Sequence, residues 1–392
     1  MSDVTSSTDL RVVVVGAGIV GVSTAWFLDR AGVDVRIVEA VAPSAGATGS
    51  ADGAVSVASK RPGPLMRAAL AGIRLYRDLA ADGVLDGLFT TRSTFLVAVD
   101  DAEAAVLDTH AEALAAVDVS VERLGGPALR ALAPSLGETA CSAVEVRGEG
   151  HAIGYDIVRR LIATGGLRIE RRVGALSLRH APSDGRLLGL DTELGPIDAD
   201  VVVVAAGGGS ASLLGLDGVL APRRGQLLVT ERAPHLAAGL PGAIMSARYL
   251  LAKASAETSA APSPRGYGLV IDPLTTGQFL IGGTRENDEE RRVTDLEAIA
   301  HILADAVALM PGLADVRLLR SFAGLRTAVV DGLPLVGRLP AGVWVATGFE
   351  GDGICLGPLM GRCVTDAILG RATEIDLAPF DPARFESRMV AA

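Results

Sequence analysis

"RVVVVGAGIVGVSTAWFLDRAGVDVRIVEA", residues 11–40, holds two apolar runs on either side of a glycine-rich turn and a helical stretch. "RVVVV" reads as a buried strand, "VSTAWFLDRAG" as a helix, and "VDVRIVEA" as a second strand that ends in Glu39. Gly16, Gly18 and Gly21 are spaced G-x-G-x-x-G, and the acid follows about 20 residues on, as a dinucleotide-binding βαβ unit requires. Gly16 permits the tight turn. Gly18 lets the backbone approach a pyrophosphate, and Gly21 lets the helix pack close to the sheet. The helix N-terminus points partial positive charge at the phosphates. Glu39 suits two ribose hydroxyls and would repel a 2′-phosphate. A turn of this kind can also occur without a ligand, but the strand, loop, helix and acid together favour the nucleotide.

Working outward, residues 43–64 form a long loop of small residues, "PSAGATGSADGAVSVASKRPGP". An extended segment of this composition suits contact with a large flat ligand; a plain surface loop is the alternative. Residues 92–145 supply a strand, an Ala-rich helix over 102–116 and a short helix. "IDADVVVVAAGGGSASLL" reads as a buried parallel strand running into Gly207, Gly208 and Gly209. Residues 223–283, with "RGQLLVTE", "YLLAKA", "YGLVIDP" and "QFLIGGT", read as an antiparallel sheet. A helix is expected near 294–310. "KASAETSAAPSPRG", 253–266, is the best candidate for a mobile loop. The nucleotide-binding pieces alternate with the sheet pieces, so the predicted α/β fold is woven from interleaved domains.

The bulk composition limits the function. The 392 residues carry a net charge of −10, which argues against a nucleic-acid surface. Mean hydropathy is +0.39, yet no apolar run approaches the roughly 18 residues of a membrane span. Three scattered cysteines give neither a disulfide framework nor a zinc site and suit a reducing compartment. With no secretory signal evident, a cytoplasmic location is expected and residues 1–10 read as a flexible tail. Of 36 basic residues only Lys60 and Lys253 are lysine, which marks both as candidates for chemistry.

A second glycine-rich turn, "GFEGDGICLGP" at 348–358, follows the apolar run "GVWVATG". Together with the 16–39 unit, "DADVVVVAAGGGS" and "GLRTAVVDGLPLVG", it resembles the FAD-dependent D-amino-acid oxidase and glycine oxidase superfamily. "EGDGI" and "SVASKRPGPL" are most similar to the branch holding the flavin subunits of opine dehydrogenase, hydrogen cyanide synthase and dye-linked proline dehydrogenase. The resemblance covers nearly the whole chain. It implies a two-dinucleotide-binding, Rossmann-like FAD domain over 11–86, 146–216 and 322–376. A mainly antiparallel substrate domain with helices would cover 87–145 and 217–321.

The resemblance also implies a site. FAD would be bound non-covalently, since no cysteine or histidine matches the covalent positions of some relatives. Its contacts would be Gly16, Gly18, Ile19, Val20, Gly21, Glu39 and Ala40 at the first turn. Ala47, Thr48, Gly49, Ser50, Gly53, Ala54 and Val55 would follow in the small-residue segment. Val173, Ala206 and Gly207 would contribute from the middle of the chain, and Gly351, Asp352, Gly353 and Ile354 at the pyrimidine end of the flavin. Pro358 is expected in the first turn of the helix that follows.

The implied reaction oxidises an amine: a hydride leaves the substrate α-carbon for flavin N5, and the imine hydrolyses. Arg326 in "GLRT" matches the substrate-carboxylate arginine of the family; a structural ion pair with Asp331 is the alternative. Tyr249 and Tyr267 are candidate carboxylate donors on the covering sheet. Lys253 is a candidate for oxygen activation, and Lys60 and Arg285 are further charged candidates. The second arginine of glycine oxidases aligns with Gly351, which disfavours glycine itself as substrate. The electron acceptor would be oxygen or a quinone or dye. The chain could form a homo- or hetero-oligomer, act as one subunit of a dehydrogenase inactive alone, or tailor a larger carrier-bound amine.

Overall fold

The computed structural model describes residues 10–251, 265–287 and 292–385. The tail 1–9, Lys253 and most of the 253–266 segment lie outside the described residues.

Arg11–Val15 and Asp34–Glu39 are parallel neighbours, joined by the helix Ile19–Arg30. They sit in a six-stranded sheet with Arg168–Arg171 on one side. On the other side come Val201–Val204, Val343–Thr347 and the antiparallel Leu335–Arg338. The central valines Val12, Val13 and Val14 are buried, as a parallel strand covered on both faces demands. The order of strands reverses beside Arg11–Val15, which creates a crevice at the carboxyl ends of the strands.

A nine-stranded sheet forms the second layer. It is mostly antiparallel, but Gly242–Ser246 lies parallel to Phe89–Ala98. The divisions expected at 145/146 and 321/322 fall inside its strands Ser142–Ala152 and Leu318–Val329, so the two regions share continuous strands. A three-stranded sheet, Ala175–His180, Leu187–Thr192 and Gly195–Asp198, packs beside the first sheet. Helices were anticipated near 102–116 and 294–310; they run Asp101–Ala115 and Leu296–Leu309. "YLL" does not extend the sheet as expected: residues 247–251 form a helical turn after the strand Gly242–Ser246.

The late helix, Gly353–Ile368, starts five residues before its expected start at Pro358. Pro358 therefore lies inside the helix and cannot donate to the carbonyl of Ile354 four residues back. The buried Tyr76 hydroxyl donates to that carbonyl instead, at 2.8 Å. Tyr76 belongs to the long helix Pro64–Ala81, so a gap in one helix is closed by its neighbour. The late helix also crosses the first helix at very close range. A Cβ on Gly361 would lie 2.7 Å from the backbone nitrogen of Thr24, and one on Gly357 3.0 Å from Ile19 Cγ2. The Thr365 hydroxyl bonds the Thr24 carbonyl at 3.2 Å. No helix among the described residues is long and apolar enough to cross a membrane.

Candidate active site

A cavity of about 530 Å³ occupies the crevice, within the usual range for ligand sites. Gly16 turns the chain out of the first strand at φ +106°, and a Cβ there would sit 2.5 Å from the Ala205 carbonyl oxygen. At Gly21 a Cβ would lie 2.0 Å from the Gly16 carbonyl oxygen, so the helix can approach the turn only without one. Thr48 reaches across from the small-residue loop and accepts the Ile19 N–H at 3.0 Å. The Glu39 carboxylate accepts the N–H groups of Ala17 and Val41, both at 2.8 Å. Those bonds fix its orientation, and each oxygen keeps a further lone pair.

Most of the predicted contacts border this cavity. Gly16, Gly18, Ile19, Val20, Glu39 and Ala40 come from the first turn, and Ala47, Thr48 and Ser50 from the loop. Val173, Ala206 and Gly207 border it from the middle of the chain, and Gly351, Gly353 and Ile354 from the late turn. The first residues of two helices, Ile19 and Gly353, thus face one space, and their amide ends add positive potential there.

Gly21, Gly49, Gly53, Ala54, Val55 and Asp352 are not among the lining residues. Gly49 is packed against the Ser44 carbonyl, and Ala54 and Val55 pair with His151 and Gly150. Asp352 turns away toward Lys60: Lys60 Nζ donates to its Oδ1 at 2.6 Å and to the Ser56 carbonyl at 2.7 Å. Lys60 is only 4% exposed. Burial disfavours its charge, but the Asp352 carboxylate outweighs this and holds its pKa above the usual lysine value. Glu149 braces the same segment, accepting the Ser56 hydroxyl and the N–H groups of Val57 and Ala58.

A second, smaller cavity of about 50 Å³ adjoins the first. Asp52, Leu227, Tyr249 and Arg326 line both. The Arg326 guanidinium reaches only the backbone carbonyls of Thr284, at 3.3 Å, and Arg224, at 3.5 Å. It does not pair with Asp331, which binds Arg384 at 2.7 Å. Among the described residues Arg326 has no carboxylate partner. It lies over Gly225, where a Cβ would fall 2.4 Å from its Nη1.

Beside it, Glu350 bridges Arg285 and Arg223, the latter at 2.6 Å. Burial alone would raise the Glu350 carboxyl, but Arg285 and Arg223, with a smaller contribution from Arg326, hold it below the usual carboxylate value. Arg285 Nε is buried without a hydrogen-bond partner. Tyr249 sits on the helical turn, and burial pushes its phenol above the ordinary value, which keeps it a neutral donor. Tyr267 borders only the smaller cavity; its ring stacks on His301 at 3.8 Å between centroids, and its hydroxyl meets Arg265 at 3.4 Å.

Asp52, Glu350 and Gly225 escaped the sequence reading. Asp52 and Glu350 do stand in the two glycine-rich turns, so an acid inside a ligand loop was the available signal. For Gly225 there was none, because its role depends on a cross-strand neighbour.

The chain and its fold are similar to those of known proteins. The family model described as FAD dependent oxidoreductase, DAO, matches residues 11–367. Glycine oxidase of Pseudomonas aeruginosa is 30% identical over 389 residues, covering 95% of this chain and 98% of that protein. Glycine oxidase from Geobacillus kaustophilus superposes with a TM-score of 0.82 at 24% identity, over 95% of this chain and 98% of that one. Iminodiacetate oxidase from Chelativorans has a TM-score of 0.77 at 25% identity, over 95% and 99%.

Proposed function

The chain belongs to the DAO family of FAD-dependent oxidoreductases acting on amines or amino acids, and from that premise we propose that its substrate is a small amino or imino acid. The crevice fits the cofactor: its wall at Gly16 and Gly18 is backbone, and the turn at Gly16 packs against Ala205 so closely that no Cβ can stand there. Gly16, Gly18 and the amide end of Ile19–Arg30 would hold the pyrophosphate, and Glu39 the ribose. The amides of Gly351–Ile354 would hold the pyrimidine end of the flavin. No cysteine or histidine lines the larger cavity among the described residues, which supports non-covalent binding.

When bound, FAD would supply the two-electron acceptor for oxidation of the substrate C–N bond, giving an imine that water would hydrolyse. The protein's part is to bind and orient. Arg326 offers a planar fork to the substrate carboxylate, and the neutral Tyr249 hydroxyl adds a donor. The observation that carries this reading is the guanidinium of Arg326, without a carboxylate partner among the described residues, on the wall shared by both cavities.

Its test is an anaerobic titration of the FAD-loaded protein with D- and L-amino acids, glycine and N-alkyl amino acids. Bleaching of the flavin band by one of them is the expected result, and readmitted air then separates oxygen from a dye or quinone as acceptor. Arg326→Ala should keep FAD and lose roughly 10²–10³-fold in kcat/KM with that substrate, the scale of a lost charge-assisted clamp in a desolvated site. Unchanged kinetics would remove Arg326 from the site.

A further inference from the structure

We propose that Asp52 recognises the ammonium group of the substrate, so that the smaller cavity selects a small zwitterion over a carboxylate without a basic nitrogen. The inference rests on the amino-acid reading above and names the feature that Arg326 alone does not explain. Asp52 borders both cavities, as Arg326 does. Its Oδ1 accepts the Ala54 N–H at 3.1 Å. No arginine, lysine or histidine among the described residues forms an ion pair with its carboxylate; His151 Nε2 bonds its backbone carbonyl instead, at 2.9 Å.

The backbone that presents this carboxylate is fixed. Gly53 has φ +92°, and a Cβ there would lie 2.6 Å from His151 Nε2 and 2.8 Å from the Ala152 carbonyl. The Gly53 carbonyl accepts the Ala152 N–H at 2.9 Å. His151 in turn lies 3.7 Å from Asp272, a buried carboxylate clamped by Arg92. Asp52 is therefore held at the cavity wall by a braced turn.

One carboxylate and one guanidinium, neither in a salt bridge among the described residues, thus border the same small space. A bound molecule that excludes water there must compensate both charges or pay for burying them. A zwitterion compensates both, its carboxylate at Arg326 and its ammonium at Asp52; a simple carboxylate leaves Asp52 repelling it. The volume of about 50 Å³ is a few times the 10–15 Å³ that one water needs, so it suits a ligand with few heavy atoms.

The test uses the FAD-loaded protein under anaerobic conditions, with flavin absorbance reporting binding. The probes are glycine, sarcosine, L-proline and D-alanine as zwitterions and propionate as the carboxylate without nitrogen. Asp52→Asn keeps the Oδ1 acceptor for Ala54, and Asp52→Ser is the second variant; FAD content and Tm show that each is folded. Both variants should weaken the zwitterion that wild type binds best by about tenfold or more and leave propionate unchanged or tighter. An equal loss for both ligand types, or no loss for either, would overturn the role of Asp52. Wild-type binding of propionate but of none of the zwitterions would also overturn it while leaving the Arg326 clamp intact. Binding of neither class by wild type would instead sink the amino-acid reading beneath it.

Discussion

The position of the Arg326 guanidinium depends on Gly225, a residue with no side chain on the neighbouring strand. The two strands pair in register, Arg223 opposite Arg326 and Gly225 opposite Gly324, which leaves a trough for the guanidinium. Gly225→Ala should push the guanidinium aside, raising the apparent Kd for a carboxylate ligand by about tenfold while FAD content stays at wild type. Titration of the flavin spectrum with propionate checks this; an unchanged Kd would show that Arg326 has room to move. Single residues differed in how legible they were. The 16–39 fingerprint could be read because its chemistry depends on local spacing. Arg326 could be singled out only through resemblance, since an arginine on a strand says nothing about its partners. Asp52 and Gly225 depend on which walls the fold brings together, and no window of sequence carries that.

At the level of elements, the late helix shows how a local rule is overridden. Pro358 favoured a helix start at that position, yet the helix begins at Gly353 because Tyr76 satisfies the carbonyl that the proline leaves open. Tyr76→Phe should then cost about 1–3 kcal/mol, the price of a buried unsatisfied acceptor. In a Pro358→Ala background the same change should cost less, because the alanine N–H can serve Ile354. A double-mutant cycle by urea unfolding measures the difference, and full additivity would dissociate the two residues. The Lys60–Asp352 pair ties the small-residue loop to the start of the same helix. Lys60→Met should destabilise the protein by roughly 1–3 kcal/mol, because it removes the buried ammonium that serves both the Asp352 carboxylate and the Ser56 carbonyl. Thermal or urea denaturation reads that loss directly, and a loss below about 1 kcal/mol would mean that Asp352 finds water or another donor.

Across the whole molecule, buried titratable groups set the response to acid. Burial lowers the pKa of His151 in the fold. The unfolded chain then binds its proton more readily, so this contribution to stability is full above the ordinary imidazole pKa and shrinks as the pH falls through it. Glu350, held low by its arginines, adds a second loss at more acidic pH, as the pH drops from the ordinary carboxylate value through its lowered one. Asp272 and Glu149, raised by burial, act in the opposite sense. His151→Gln should therefore flatten the decline of Tm between pH 7 and pH 5.5 relative to wild type; parallel curves would assign the slope elsewhere. The sequence order showed that two sheets are interwoven, because nucleotide-binding and sheet segments alternate. Their boundaries were not visible, since strands such as Ser142–Ala152 run from one region into the other.

The contact between the first and last long helices has a consequence for biosynthesis. Thr24 and Thr365 meet across 341 residues of chain. A polypeptide emerging from the ribosome presents its first glycine-rich turn early and must wait for hundreds of further codons before the helix that seats against the first one exists. Through that interval the flank of the first helix that the late helix covers lies open, so the crevice bordered by both helix ends is completed only after the late helix has been made.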